Sequence, residues 1–297
     1  MLRHLVVLYL DPSKYLSFYI GQYTTSRMND RKYAIVAIEM ATKTTSQVAE
    51  EAVRRAGTVI MKNFRVVQKV SFKGKSDIVT QVDIQSETVI RDLLHKHFPT
   101  HSILSEESGL EANDSKYIWI LDPMDGTINF YYGSPPFRIG LCLLEDKVPV
   151  LTVIYNPLKD ELYLAEKGKG ATMNDKKIHV NDNFDISKSV VMTHLSSRKG
   201  PRARTILALE NIFNHTMHMR MFGSGLAAMT YIAAGTFDVF FNVKTNPWDI
   251  LPGALLIQEA GGVATDIQGQ KITYESTSVL ATNGKVHHKM LKLLKNV

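Results

Sequence analysis

The chain has 297 residues, 44% hydrophobic and 22% charged, with a formal net charge of +6 and one cysteine. That length holds a large core in one domain or two fused halves, and the composition is that of a globular protein rather than a disordered or fibrous one. The lone Cys142 excludes an internal disulfide. No basic helix face, zinc-ligand spacing or aromatic–basic motif accompanies the excess of cations, so nucleic acid is not an expected partner and a mildly basic surface is the simpler account.

Residues 1–43 read differently from the rest. The apolar run Leu5–Leu10 is too short to span a membrane, and no small-residue cleavage site follows it as in a secretory signal. Met40-Ala-Thr-Lys-Thr44 makes a natural domain start. One expectation is that translation begins at Met28 or Met40, leaving 1–43 a non-native or disordered extension. The other is an accessory or targeting segment. Cys142 lies in the apolar run Ile139–Leu144 and reads as a buried structural thiol. The absence of a disulfide scaffold is compatible with the cytoplasm, the expected location.

From Thr44 the chain alternates helix and strand. A helix over 46–64 has apolar residues at Val48, Ala52, Val53, Ala56, Val59 and Ile60, the spacing of one buried face. A second helix is expected over 83–98. Strands follow at 102–105, 117–121, 137–144, 148–155 and 161–165, with turns at Gly168–Gly170 and Asn174–Asp175. After residue 186 the expected order is strand 189–194, helix 202–213, strand 217–221, helix 224–234, strand 237–241, helix 249–260, strand 279–282 and a closing helix 284–295. The fold class is therefore α/β, with stacked layers of helices and sheets. Residues 44–186 read as an N-terminal α+β half carrying the first two acidic segments below, and 187–297 as a C-terminal α/β half carrying the third.

Three acidic segments carry the chemistry. Tyr117-Ile-Trp-Ile-Leu121 reads as a buried strand, and Pro123 is expected to stop its ladder. That leaves Asp122 and Asp125 at the strand tip beside Gly126-Thr127, which can open a helix. Carboxylate oxygens suit a hard cation such as Mg²⁺, and free N–H groups at a helix start suit phosphate. Upstream, Ser102-Ile-Leu-Ser105 runs into Glu106-Glu107-Ser108, a weak signal alone because adjacent glutamates are usually solvated. Downstream, Asp249 in Trp248-Asp249 reads as the N-cap of a helix that stops at Gly261-Gly262.

Together, Glu106-Glu107-Ser108, Trp119-Ile-Leu-Asp122-Pro-Met-Asp125-Gly-Thr127-Ile-Asn-Phe130 and Trp248-Asp249 through Glu259-Ala-Gly-Gly262 resemble the inositol monophosphatase family. That family belongs to the wider group of Mg²⁺-dependent, lithium-sensitive sugar phosphatases, and the resemblance covers residues 44–294. It implies a layered αβαβα sandwich with metals at the junction of its halves, and commonly a homodimer. It makes Glu106, Asp122, Asp125 and Asp249 metal-ligand carboxylates, joined by the main-chain carbonyl of Met124, for two or three Mg²⁺ per site. It pairs Asp83 with Thr127 to orient and deprotonate the attacking water, with Glu107 as a further catalytic residue. Gly126 and Thr127 would hold the phosphate through backbone N–H groups. Asp125, Ser224, Asn242 and Asp249 would complete the substrate contacts. Physics agrees independently. Four carboxylates in one cleft repel, and a phosphomonoester adds about two more negative charges, so divalent cations are needed to fill the site.

The implied reaction is hydrolysis of a small sugar or polyol phosphate by in-line attack of metal-activated water. Inositol 1-phosphate and fructose 1,6-bisphosphate are the leading substrates. The alternatives are a phosphatase for 3′-phosphoadenosine 5′-phosphate and a regulatory binding protein that keeps the fold. Some bacterial relatives associate with the transcription machinery. Asn242 stands seven residues before Asp249, where the inositol-specific members carry a glutamate, which places strict inositol specificity in doubt. Asn129 before Phe130 favours inositol or fructose phosphates over nucleotides. Ser224 also reads as an ordinary turn serine. The cluster Arg198-Lys199-Gly-Pro-Arg202-Ala-Arg204 reads as a solvated loop or an attractor of anionic substrate. Lys73 or Lys75 falls in a segment resembling a loop that closes over the metals.

Overall fold

The computed structural model describes residues 5–9, 17–21, 43–66, 70–72, 78–196 and 198–295. The chain divides into two compact units, Met1–Thr44 and Thr45–Val297. In the first, β1 (Leu5–Tyr9) and β2 (Ser17–Gly21) form an antiparallel hairpin. Met28, Met40 and the start-site reading attached to them lie outside the described residues.

The second unit opens with α1 (Thr45–Asn63), the hairpin of β3 (Val70–Phe72) and β4 (Ile78–Thr80), and α2 (Gln81–His97). Lys73 and Lys75 are outside the described residues. Helix α2 starts two residues earlier than its apolar pattern implies, because Thr80 caps it. The Thr80 hydroxyl accepts the Val82 N–H at 3.2 Å, and Asp83 returns a carboxylate oxygen to the Thr80 N–H at 2.7 Å. This reciprocal box satisfies the orphan donors of the first turn.

Next come β5 (Ser102–Ser105), β6 (Gly109–Glu111), β7 (Tyr117–Asp125), the one-turn α3 (Thr127–Tyr131), β8 (Arg138–Glu145), β9 (Val148–Asn156), β10 (Glu161–Glu166), β11 (Gly170–Met173) and β12 (Lys176–Ile178). Then follow β13 (Val190–Met192), α4 (Lys199–Phe213), β14 (His218–Arg220), α5 (Gly225–Ala233), β15 (Val239–Asn242), α6 (Pro247–Glu259), β16 (Val263–Thr265), β17 (Val279–Thr282) and α7 (His287–Leu293). Among the described residues these form an eight-stranded sheet, β12-β11-β10-β9-β8-β7-β5-β6, and a five-stranded sheet, β14-β13-β15-β17-β16.

Side-chain alternation along β7 shows how the layers stack. Trp119 and Leu121 join a core with Ala52, Val53, Ile60, Ile90 and Leu94 of α1 and α2. Ile120, on the opposite face, joins Leu226 and Met229 of α5, Leu251 and Ile257 of α6, and Phe240 of β15. A third core sets Val191, Phe241 and Leu280 of the second sheet against Ala208 of α4 and Met290 of α7. The order is helix, sheet, helix, sheet, helix, the expected αβαβα sandwich. Strand β7 reads as a continuous apolar run because both its faces are covered.

Two local expectations change. Pro123 does not end β7. The ladder skips there, with Asp122 opposite Gly140 and pairing resumed at Asp125 opposite Arg138. A proline lacks the ladder N–H, and a bulge accommodates it. Helix α6 begins at Pro247 with Asn246 as N-cap, so Asp249 is its third residue rather than its cap. Among the described residues no helix is long and apolar enough to cross a membrane.

Candidate active site

Strand pairing brings the first two acidic segments together. β5 runs parallel to β7 with Ser105 opposite Leu121, and the Glu106 N–H donates to the Leu121 carbonyl at 3.2 Å. The next residue of each chain is Glu106 and Asp122. Parallel strands end on the same edge, so both carboxylates emerge there. The bulge at Pro123 then advances Asp125 to the same edge.

The third segment arrives on α6, which packs across the eight-stranded sheet. Asp122, Asp125 and Asp249 each offer a carboxylate oxygen, and these oxygens lie within 4.8 Å of one another. Asp249 is fixed by its helix start: its Oδ2 accepts from the Thr245 hydroxyl at 2.7 Å and from the Asn246 N–H at 2.9 Å. Asp125 is fixed by α5. Its Oδ2 accepts from the Ser224 hydroxyl and the Leu226 N–H, both at 2.6 Å, at a helix N-terminus that favours an anion. Ser224 is thus buried and occupied in holding Asp125 and capping α5, where its hydroxyl accepts the Ala227 N–H at 3.2 Å.

Asp122 is fully buried. Its Oδ1 accepts the Met124 N–H at 3.0 Å, while its Oδ2 has no hydrogen-bond partner. Burial first, then the charges of Glu106, Asp125 and Asp249, push its pKa well above the usual carboxylate range. Burial, then Asp249, lifts Asp125 to about 6. A buried carboxylate oxygen with no donor, crowded by three further carboxylates, is an arrangement that a divalent cation satisfies. The donors are oxygens alone, matching a hard cation such as Mg²⁺. The residues present therefore fit the metal centre that the family resemblance implies.

Beside this cluster, the Thr127 hydroxyl lies 2.9 Å from Asp83 Oδ1 and 3.0 Å from the Met124 carbonyl. Asp83 is buried at the first turn of α2, and burial raises its pKa against the hydrogen bonds from Thr80 and Thr127 that lower it. Gly126, at φ 97°, turns the chain into α3. A Cβ there would meet the Pro136 carbonyl oxygen at 2.8 Å, so glycine is required both for the turn and for the close approach. The Gly126 and Thr127 N–H groups stand at the helix start, where intrahelical partners are lacking.

Asn242, the last residue of β15, is buried, and its Nδ2 lies 2.5 Å from Nε2 of His194. His194 follows β13, which pairs in parallel with β15, and it feels the charge of Asp249. Burial pushes the His194 pKa down, opposed by Asp249. The sequence carried no signal for His194; only the pairing of β13 with β15 sets it against Asn242. Asn129 donates to the carbonyls of Pro136 at 2.7 Å and Phe222 at 2.6 Å. Its amide ties α3 to the segment before Ser224, which accounts for the residue without a substrate contact. The backbone N–H of Glu107 donates to Glu87 Oε2 at 3.1 Å. Arg198 N-caps α4, and Lys199, Arg202 and Arg204 lie in its first two turns.

Fold and carboxylate set together define the class: a layered α/β phosphoric monoester hydrolase. The model of the inositol monophosphatase family matches residues 42–297. Inositol-1-monophosphatase of Mesorhizobium japonicum is 37% identical over 262 residues, covering 86% of this chain and 98% of the relative. A putative Nus factor SuhB of Neisseria meningitidis is 35% identical over 251 residues, covering 83% and 96%. The crystal structure of the extragenic suppressor protein suhB from Bartonella henselae superposes with a TM-score of 0.82 at 32% identity, covering 85% of this chain and 99% of that one. The chain belongs to the inositol monophosphatase family, a metal-dependent family of phosphoric monoester hydrolases.

Proposed function

We propose that the chain hydrolyses the phosphomonoester of a small polyol or sugar, with inositol 1-phosphate and fructose 1,6-bisphosphate as its leading substrates. One observation carries the reading: the carboxylates of Asp122, Asp125 and Asp249 converge beside the Asp83–Thr127 pair, with a buried Asp122 oxygen left without a donor. Glu106, Asp122, Asp125, Asp249 and the Met124 carbonyl would hold the cations. When bound, Mg²⁺ polarises the phosphoryl oxygens, eases the loss of a proton from water and neutralises the departing alkoxide.

The chain's own groups orient and move the proton. The Thr127 hydroxyl donates to Asp83 and turns a lone pair toward the incoming water. As that water attacks phosphorus in line with the departing alkoxide, its proton passes to Thr127 Oγ1 and the threonine proton passes to Asp83 Oδ1. Burial raises the pKa of Asp83, so it accepts that proton more readily than a solvated carboxylate. Gly126 and Thr127 N–H groups steady the phosphoryl oxygens. The P–O bond to the polyol breaks, the departing alkoxide takes one proton from solvent to become the alcohol, and Asp83 returns its proton to solvent through Thr127, so inorganic phosphate and the alcohol leave without a covalent enzyme intermediate. Glu107 assists from the turn beside Glu106. Ser224 acts through Asp125, and Asn242 would contact the leaving group, as the family resemblance implies. Two or three Mg²⁺ per site and a homodimer go with this reading on the family resemblance, and the cytoplasm is its setting.

A regulatory binding role is the second reading, favoured by the Neisseria relative named as a putative Nus factor. The intact acidic set argues for catalysis beside any such role. Phosphate release from inositol 1-phosphate, fructose 1,6-bisphosphate and 3′-phosphoadenosine 5′-phosphate, with and without Mg²⁺, tests the proposal. Turnover of the first two that requires Mg²⁺ supports it. Turnover of none promotes the binding role.

A further inference from the structure

Helix α2 presents more than Asp83 to the site. Ser86 and Glu87 lie three and four residues further on, so the three side chains share one helix face. Asp83 meets Thr127. The Ser86 hydroxyl donates to the Pro123 carbonyl at 3.0 Å, within the bulge that advances Asp125. Glu87 is 4% exposed and accepts two hydrogen bonds, from the Ser105 hydroxyl at 2.9 Å and from the Glu107 N–H at 3.1 Å. One turn later, Arg91 donates to the Ser108 hydroxyl at 2.7 Å and pairs with Glu111. The Ser105 and Ser108 hydroxyls lie 2.8 Å apart.

These contacts bracket Glu106. Ser105 precedes it, Glu107 follows it, and Ser108 closes the turn. The turn sits between β5 and the short edge strand β6, where the sheet ladder holds Glu106 through its N–H to Leu121 and then releases the chain until Gly109. Glu87 supplies the anchor that the ladder does not.

The geometry points to Glu87 as a positioning residue that fixes the direction of the Glu106 carboxylate, and through it the cation affinity of the site. The inference rests on the phosphatase reading above. Each of the Glu87 oxygens receives a donor from the Glu106 turn. Glu87 acts as an acceptor, so an amide can replace it: the glutamine oxygen takes the Glu107 N–H, and its NH₂ donates to Ser105, which turns its own proton to Ser108.

The test titrates Mg²⁺ into wild type, Glu87→Gln, Glu87→Leu and Ser105→Ala, and reads the concentration that gives half of the maximal rise in Tm. Hydrolysis of p-nitrophenyl phosphate at saturating Mg²⁺ is measured in parallel. Glu87→Leu is expected to raise the Mg²⁺ midpoint by roughly 10- to 100-fold, the usual cost of losing a group that orients a metal ligand. Ser105→Ala shifts it in the same direction, and kcat at saturating Mg²⁺ stays within about threefold of wild type in both, since neither residue touches the reacting atoms. Glu87→Gln keeps the midpoint within about threefold, because both hydrogen bonds are remade. If Glu87→Leu does not fold, Ser105→Ala decides the question. A lowered starting Tm with an unchanged midpoint in these variants assigns Glu87 to folding alone and overturns the inference. Damage by glutamine equal to that by leucine shows that charge rather than position matters, and overturns it equally. A wild-type protein without any Mg²⁺-induced shift overturns the proposed function itself and this inference with it.

Discussion

The Thr127 hydroxyl lies 2.9 Å from Asp83 Oδ1, joining a helix start to the far end of β7 across 44 residues. Both groups are held from behind: Asp83 by its capping bonds to Thr80, and Thr127 by its place in the turn after Gly126. If the pair moves a proton, Thr127→Ala and Asp83→Asn each lower kcat by roughly 10²- to 10⁴-fold with KM little changed. Steady-state kinetics at saturating Mg²⁺ checks this. A large rise in KM with kcat retained would assign the pair to binding.

Metal-free stability follows from the raised carboxylates. Asp122 lies well above the usual range and Asp125 at about 6, both above their unfolded values. The folded state binds more protons than the unfolded chain, so this contribution is fully present below the unfolded pKa and is lost as pH rises through the folded pKa. In EDTA, Tm is expected to fall between pH 4 and pH 7 on this account. Saturating Mg²⁺ reverses the trend, because the cation binds the deprotonated site. Thermal melts across that range, with and without Mg²⁺, read the difference.

The acidic motifs were legible because their chemistry is local. Asp122 and Asp125 flank one proline after an apolar run, and that run is continuous because both faces of β7 are covered. Their meeting with Glu106 was not local. It depends on β5 lying parallel to β7, a pairing that no residue in either strand announces. Asp249 resembles a cap in the sequence because the apolar period starts after it, whereas the Asn246–Pro247 start lies outside that period. Strands β6, β11, β12 and β16 have three or four residues each, too few to alternate visibly. His194 and Glu87 carry their meaning only through partners 48 and about 20 residues away.

A second pH effect sits far from the acidic cluster. His287 bridges two strands: its Nδ1 lies 3.0 Å from the Thr282 hydroxyl and its Nε2 3.0 Å from that of Thr265. Burial, then His288, lowers its pKa to about 4. The unfolded chain takes up this proton first, so the contribution to stability is complete above about pH 6.5 and is lost as pH falls toward 4. Replacing the imidazole by Gln is expected to flatten the pH dependence in that window. Urea midpoints at pH 7 and pH 4.5 for both proteins measure it.

Gly126 admits no side chain. Gly126→Ala pairs a left-handed φ with a Cβ 2.8 Å from the Pro136 oxygen, a strain of roughly 1–3 kcal/mol. Movement of the turn displaces the Thr127 N–H and hydroxyl together, so the loss of kcat exceeds what the Tm change implies. Parallel melting and kinetic measurements separate the two.

If Asn242 contacts the substrate, as the family resemblance implies, it does so as a neutral group where the inositol-specific members carry a carboxylate. A glutamate there repels a second phosphate and accepts from a hydroxyl. Asn242→Glu is therefore expected to lower kcat/KM for fructose 1,6-bisphosphate relative to inositol 1-phosphate by about tenfold or more. A ratio that does not move removes Asn242 from the specificity wall.

The carboxylate cage is tested most directly by Asp125→Asn, which keeps the shape and the Ser224 contact while removing one charge. Phosphate release from inositol 1-phosphate, with and without Mg²⁺, is compared with wild type. The expected result is Mg²⁺-dependent turnover in wild type that falls by on the order of 10³ or more in the variant, the scale of lost transition-state charge stabilisation. Equal turnover in the two proteins would contradict the account.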